Sequence, residues 1–351
     1  KYEEFFMRDV DEQGQPTSPT EYLEYANAQS FLHFGTDPSG KDKRVADTIY
    51  QQEIDGQESF RVIYNPSITH PWSHFSKQST EATIEFFDNA LGTPNPISPS
   101  NQTWQIKEFF NLIGLIGFVI FIVSFTIWML STQFFGSLRS QEVVRPLEIT
   151  RKGKFGFWGM QIASVVFGTL IYIPLLMSVN SFTMAKDPWP QSQTWGIGLW
   201  ALLCGLFALV LMVIFYYVSG KKNGLNLRER GVIMSKQKVW KTVLLAALVV
   251  SVSYAWVFFA DYFFKTDFRI WVLAVKAFGS DKLIIALFPY IFLFLVFFIA
   301  NFIAVNSFNF NTIGTKNGKG RWVNTAILAI TNTLPPVILL ALQYINFFST
   351  G

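Results

Sequence analysis

One cysteine in 351 residues excludes any disulfide within the chain and any thiolate metal cluster. Histidine is also scarce, at three. Charged residues make up only 15%, against about 25% in a soluble domain. No Gly-x-Ser-x-Gly turn occurs anywhere, so the chain carries no nucleophile elbow of its own. What fills the space is apolar: half of all residues are hydrophobic, with 37 Phe and 11 Trp. The composition implies an integral membrane protein.

The charge is unevenly placed. Residues 1–105 hold 7 Lys and Arg against 16 Asp and Glu, whereas residues 106–351 hold 21 against 8. An acidic segment therefore precedes a basic, hydrophobic one. The basic excess lies in short loops between apolar runs, where membrane topology accounts for it and nucleic acid is not implied. The chain opens on Lys1 without a Met or an export signal, and we expect a longer protein whose beginning lies upstream.

Six runs are long enough to cross about 30 Å of hydrocarbon as helices. They cover residues 109–131, 156–179, 196–219, 242–264, 283–306 and 322–347. Pro174, Pro289 and the pair Pro335 and Pro336 fall inside them, which predicts kinks. Loops 132–155, 220–241 and 307–321 hold fifteen Lys and Arg; the alternate loops hold five. That bias places the first set in the cytoplasm and residues 1–105 outside, in a multi-pass plasma-membrane protein. The stretch 265–282 is too short and too flanked by charge for a seventh span and reads as an interfacial or re-entrant helix. Asp261, near one end of the fourth run, is placed to pair with Lys265 one turn on. Asn301 and Asn332 are suited to hydrogen bonds between helices.

Before the membrane part, SFRVIYNP reads as a strand ending in a turn. KQSTEATIEFFDNALG reads as an amphipathic helix with Ser76 as N-cap and Gly92 just past its end. TPNPISPSNQT is a stiff, Pro-rich linker. The organisation is thus residues 1–92 as a soluble portion, 93–105 as linker and 106–351 as membrane domain. Between strand and helix, NPSITHPWSHF sets His70 and His74 four residues apart. Pro71 and the lack of a Glu between them exclude a helical zinc pair, and no cofactor is implied. The residues alone leave two readings of these imidazoles open: polar loop groups bonded to backbone, or a catalytic base. His33 reads as ordinary packing.

Strand, loop with histidine and amphipathic helix, followed by NPISPSNQTWQIKEFFNLIGLIGF at 95–118, together resemble bacterial membrane-anchored α/β hydrolases. The resemblance implies a partial α/β fold, the C-terminal piece of the hydrolase domain, followed by an all-α domain of about six transmembrane helices. It also implies a serine hydrolase acting on a small acyl or ester substrate at the lipid bilayer. His70 would be the base, Glu3 in KYEEFF the acid, and the nucleophile would lie upstream. The contrasting expectation is a non-enzymatic transporter or sensor component with a degenerate hydrolase-like outer domain.

Overall fold

A computed structural model gives the structure of the chain; it describes residues 19–95, 97–140, 150–177, 187–309 and 321–350. These are mostly helical. They divide into two compact units: residues 1–112 with 269–273 and 344–351, and residues 113–268 with 274–343.

In the first unit a short helix α1 (Ala26–Leu32) precedes strands β1 (Tyr50–Ile54) and β2 (Gln57–Arg61), then a 3-10 turn (His70–Phe75) and helix α2 (Lys77–Leu91). Helix α1 buries Ala28 and Leu32 completely. Gln29, 5% exposed, ties the loop beside it. Its amide donates to the carbonyls of Leu23 (2.7 Å) and Arg44 (2.8 Å), and its oxygen accepts from the Arg44 N–H (2.8 Å). In α2 the Ser79 N–H donates to Ser76 Oγ at 3.2 Å, and Gly92 ends the helix at φ 67°. Phe60 of β2 packs on Phe86 of α2, with ring centroids 5.3 Å apart.

The partial α/β-hydrolase fold is not found. The described residues form only two sheets of two strands each. β2 pairs antiparallel with β1, Tyr50 opposite Arg61 and Ile54 opposite Gln57. Between them Asp55 (φ 51°) and Gly56 (φ 77°) both take the left-handed backbone that a two-residue hairpin of matching twist requires. The Asp-Gly pair therefore closes a local ribbon. A hydrolase sheet needs parallel strands joined by crossover helices.

The apolar runs form the long helices α3 (Trp104–Ser131), α4 (Arg151–Tyr172), α5 (Ser192–Phe215), α6 (Lys236–Phe264) and α8 (Ile291–Ile303). Helix α7 (Ser280–Ile285) leads into α8 through a π-helical turn. Counted with their π turns, five helices among the described residues are long and apolar enough to cross a membrane: 104–131, 151–176, 192–223, 236–264 and 280–308. Helix α9 (Arg321–Thr350) occupies the sixth run, and among the described residues it carries the apolar stretch Ala329–Ile345. Pro174 and Pro289 lie in π-helical turns (Ile173–Met177 and Ala286–Tyr290), where a residue without an N–H is accommodated.

In the second unit α5 packs on α8 and on α4. Trp189 stacks on Trp195 at 4.2 Å and donates its indole N–H to the Pro289 carbonyl at 3.0 Å. Tyr290 Oη accepts from the Gln191 N–H at 3.0 Å. A second cluster joins Phe157, Met212, Phe215, Ala300 and Phe308 to Leu225, which comes from the basic loop after α5.

Residues 265–282 do not form the expected interfacial or re-entrant helix. Strands β3 (Phe268–Ile270) and β4 (Leu273–Val275) make a second hairpin there. Aromatic and β-branched residues (Phe268, Ile270, Val272, Val275) favour that choice over a helix.

Candidate functional site

His70 opens the 3-10 turn and His74 lies in its last turn, with ring centroids 6.4 Å apart and planes at 89°. The His70 carbonyl accepts from Ser73 Oγ at 2.7 Å, which tightens the turn. Trp72 stacks on Trp271 (5.1 Å), and Phe75 lies 6.4 Å from both Trp104 and Trp271. Glu3 lies outside the described residues. His33 Nε2 donates to the Asp42 carbonyl, 3.1 Å away. Close to the turn's flanks, burial and then the Glu85 carboxylate push the Tyr64 phenol above its usual range. Among the described residues no group of His, Cys, Asp and Glu converges so as to hold a metal ion.

The second unit holds a cavity of about 120 Å³ bounded by α4, α5, α8 and α9. Its walls are mostly apolar, including Phe157, Phe167, Met212, Phe215 and Pro335. Its polar groups come from three helices: Gln161 and Ser164 of α4, Asn301 of α8, and Thr331 and Asn332 of α9. Thr331 donates its hydroxyl proton to Ile327 O at 2.9 Å, within its own helix. The half-buried thiol of Cys204 lines the same space from α5. Gly168 leaves room on the α4 side, because a Cβ there would meet Cys204 Sγ at 3.6 Å and Pro335 Cγ at 3.7 Å. Trp200 donates to the Gly168 carbonyl at 2.7 Å, and Phe167 stacks on Phe207 at 4.1 Å, so the wall is held from both sides.

Amides in a bilayer interior cost free energy unless they find partners, and they gather where a polar guest or a neighbouring helix meets them. The sequence points to Asn301 and Asn332 as interhelical groups, and the structure brings both to one cavity with Gln161 and Ser164. Gln161 and Ser164 give no sequence signal by themselves. Only the α4–α5 packing shows that they face inward.

The acid expected to pair does not. Lys265 ends α6 in left-handed backbone (φ 50°), and its ammonium lies 5.7 Å over the Tyr262 ring rather than on Asp261. The basic loop after α5 is also more than a charge signal. Leu225 is 3% exposed, Ser307 Oγ donates to the Arg230 carbonyl at 2.9 Å, and burial lowers the Arg230 guanidinium from its usual range.

No family model, no curated protein and no solved structure matches the chain.

Proposed function

We propose that this polytopic membrane protein binds a small, uncharged, hydrogen-bonding solute inside its helix bundle, as a transporter or sensor component. The observation that carries this reading is the convergence of Gln161, Ser164, Asn301 and Asn332 on one cavity with aromatic walls. A dry apolar cavity of about 150 Å³ accepts a guest the size of benzene. A space of about 120 Å³ with amide groups suits a guest of that order with a donor and an acceptor. The charge bias of the loops supports an orientation with residues 1–105 outside the cytoplasm.

The native Cys204 thiol provides the test, since no second cysteine competes. In membrane vesicles, N-ethylmaleimide should modify Cys204, and Ser164→Leu, which fills the cavity, should slow that reaction severalfold. An unchanged rate in the filled variant would show that the thiol is reached by another route and would end this reading.

A second reading is acyl or ester hydrolysis outside the cytoplasm with His70 as base. It rests on the order of strand, His70 turn and capped helix, together with the resemblance to bacterial membrane-anchored hydrolases. It requires a serine nucleophile from sequence not present in these 351 residues, because no Gly-x-Ser-x-Gly turn occurs in them. Glu3 would hold the imidazole tautomer. Fluorophosphonate labelling of the membrane protein that is lost in His70→Ala and kept in His74→Ala supports it. Labelling indifferent to both removes it.

A further inference from the structure

Trp271 stands at the tip of the β3–β4 hairpin with φ 53°. Left-handed backbone is the usual province of Gly, Asn and Asp in such a turn, and a bulky residue there is an outlier that asks for a reason. The strained position presents the Trp271 ring to Trp72 of the histidine turn (5.1 Å, planes 27° apart) and to Phe75 (6.4 Å). Phe75 in turn meets Trp104, the first residue of a helix long and apolar enough to cross a membrane. Trp271 itself lies between two more such helices, 236–264 and 280–308. Trp104 thus begins one membrane-length helix, Trp271 lies in the chain between two others, and Trp72 stacks on Trp271; amphipathic rings at such helix ends prefer the headgroup region.

The cluster is not a closed core. Trp72 is 55% exposed and Trp271 37%. The apolar surface continues onto the first turns of α3, where Ile106, Phe109 and Phe110 are exposed. We propose that Trp72, Phe75, Trp104 and Trp271 form an aromatic clasp whose partner is the phospholipid surface. The clasp holds the turn bearing His70 and His74 at the depth of the lipid headgroups and ester carbonyls. The continuity of the exposed patch with α3 selects lipid as the occupant. The proposal is independent of both functional readings. If His70 acts as a base, the clasp makes lipid-borne esters its accessible substrates.

The test uses the full chain in phosphatidylcholine vesicles brominated either near the carbonyl end of the acyl chain or near the bilayer centre. The emission lost in Trp72→Phe reports on Trp72. We expect bromines near the carbonyls to quench it at least about twofold more than central bromines, with aqueous iodide having little effect, as for an interfacial indole. Quenching chiefly by iodide, or chiefly by central bromines, would overturn the clasp. Trp271→Gly is a second test because it relieves the backbone while deleting the ring. In that variant Trp72 should become open to iodide; unchanged shallow quenching would show that Trp271 does not seat it.

Discussion

A Cβ placed on Gly205 of α5 would stand 2.7 Å from Phe297 Cα and 2.9 Å from Phe297 N on α8. Both obstacles are backbone, so the two helices touch at this point without intervening side chains, the kind of contact small residues permit in membranes. At Gly198, one heptad earlier, the nearest atom to a Cβ is Leu293 Cδ1 at 2.7 Å, the far end of a side chain that can turn away. Gly205→Ala should therefore force α5 and α8 apart at a cost of about 1–3 kcal/mol, and Gly198→Ala should cost less. Thermal unfolding in detergent checks the order. Equal losses, or a larger loss at Gly198, would contradict the close backbone contact.

How far the sequence discloses this fold depends on which periodicity carries it. The apolar runs fall on helices because twenty or so residues without charge have one solution in hydrocarbon. Ser76 and Gly92 are visible as caps because local backbone chemistry alone sets them. The expected hydrolase sheet failed at Asp55-Gly56, a two-residue turn signal between the two strands that outweighs a strand-then-histidine order. The stretch 265–282 misled because its apolar content suits a helix and a hairpin alike, and Trp271 gives no warning that it will take positive φ. The cavity was half legible: an amide in an apolar run is conspicuous, as at Asn301. Which amides share one space depends on helix rotation, and no local pattern carries that.

Gln29 joins three backbone groups across fifteen residues, and this determines what its loss should do. Gln29→Leu preserves bulk but leaves the Arg44 N–H and two carbonyls without the side chain, a cost of about 1–3 kcal/mol. Hydrogen exchange of the Arg44 amide reads this directly. Faster exchange is expected at Arg44, with the amides of α5 unaffected because they belong to the other unit. Exchange at Arg44 that does not change would mean the loop is held by other contacts.

Leu225 separates two views of the basic loop. If the loop served only to place positive charge, apolar residues within it would be replaceable. Its burial to 3% against Phe215 and Phe308 instead predicts that Leu225→Ala costs about 2–5 kcal/mol. Lys222→Ala, at an exposed position of the same loop, should stay within about 0.5 kcal/mol. Both variants are compared by thermal unfolding in one detergent. Similar small effects would return the loop to a purely electrostatic role.

Tyr64 yields a pH dependence whose sign follows from its surroundings. Burial, and then the negative charge of Glu85, disfavour the phenolate and raise the Tyr64 phenol above its ordinary value of 10.0. The folded state therefore prefers the neutral ring. That contribution is fully present below pH 10 and is lost as pH rises through the folded-state value, because the unfolded chain ionises first. Tyr64→Phe cannot ionise, and it removes the phenolic oxygen on which burial and the Glu85 carboxylate act. At neutral pH the variant should stay within about 1.5 kcal/mol of the wild type. Above pH 10 it should gain on the wild type, because it lacks this one alkaline loss. The ultraviolet titration difference between wild type and Tyr64→Phe should show one phenol ionising later than free tyrosine. A difference curve centred at or below the free value would mean that Tyr64 faces solvent and that the Glu85 carboxylate does not act on it.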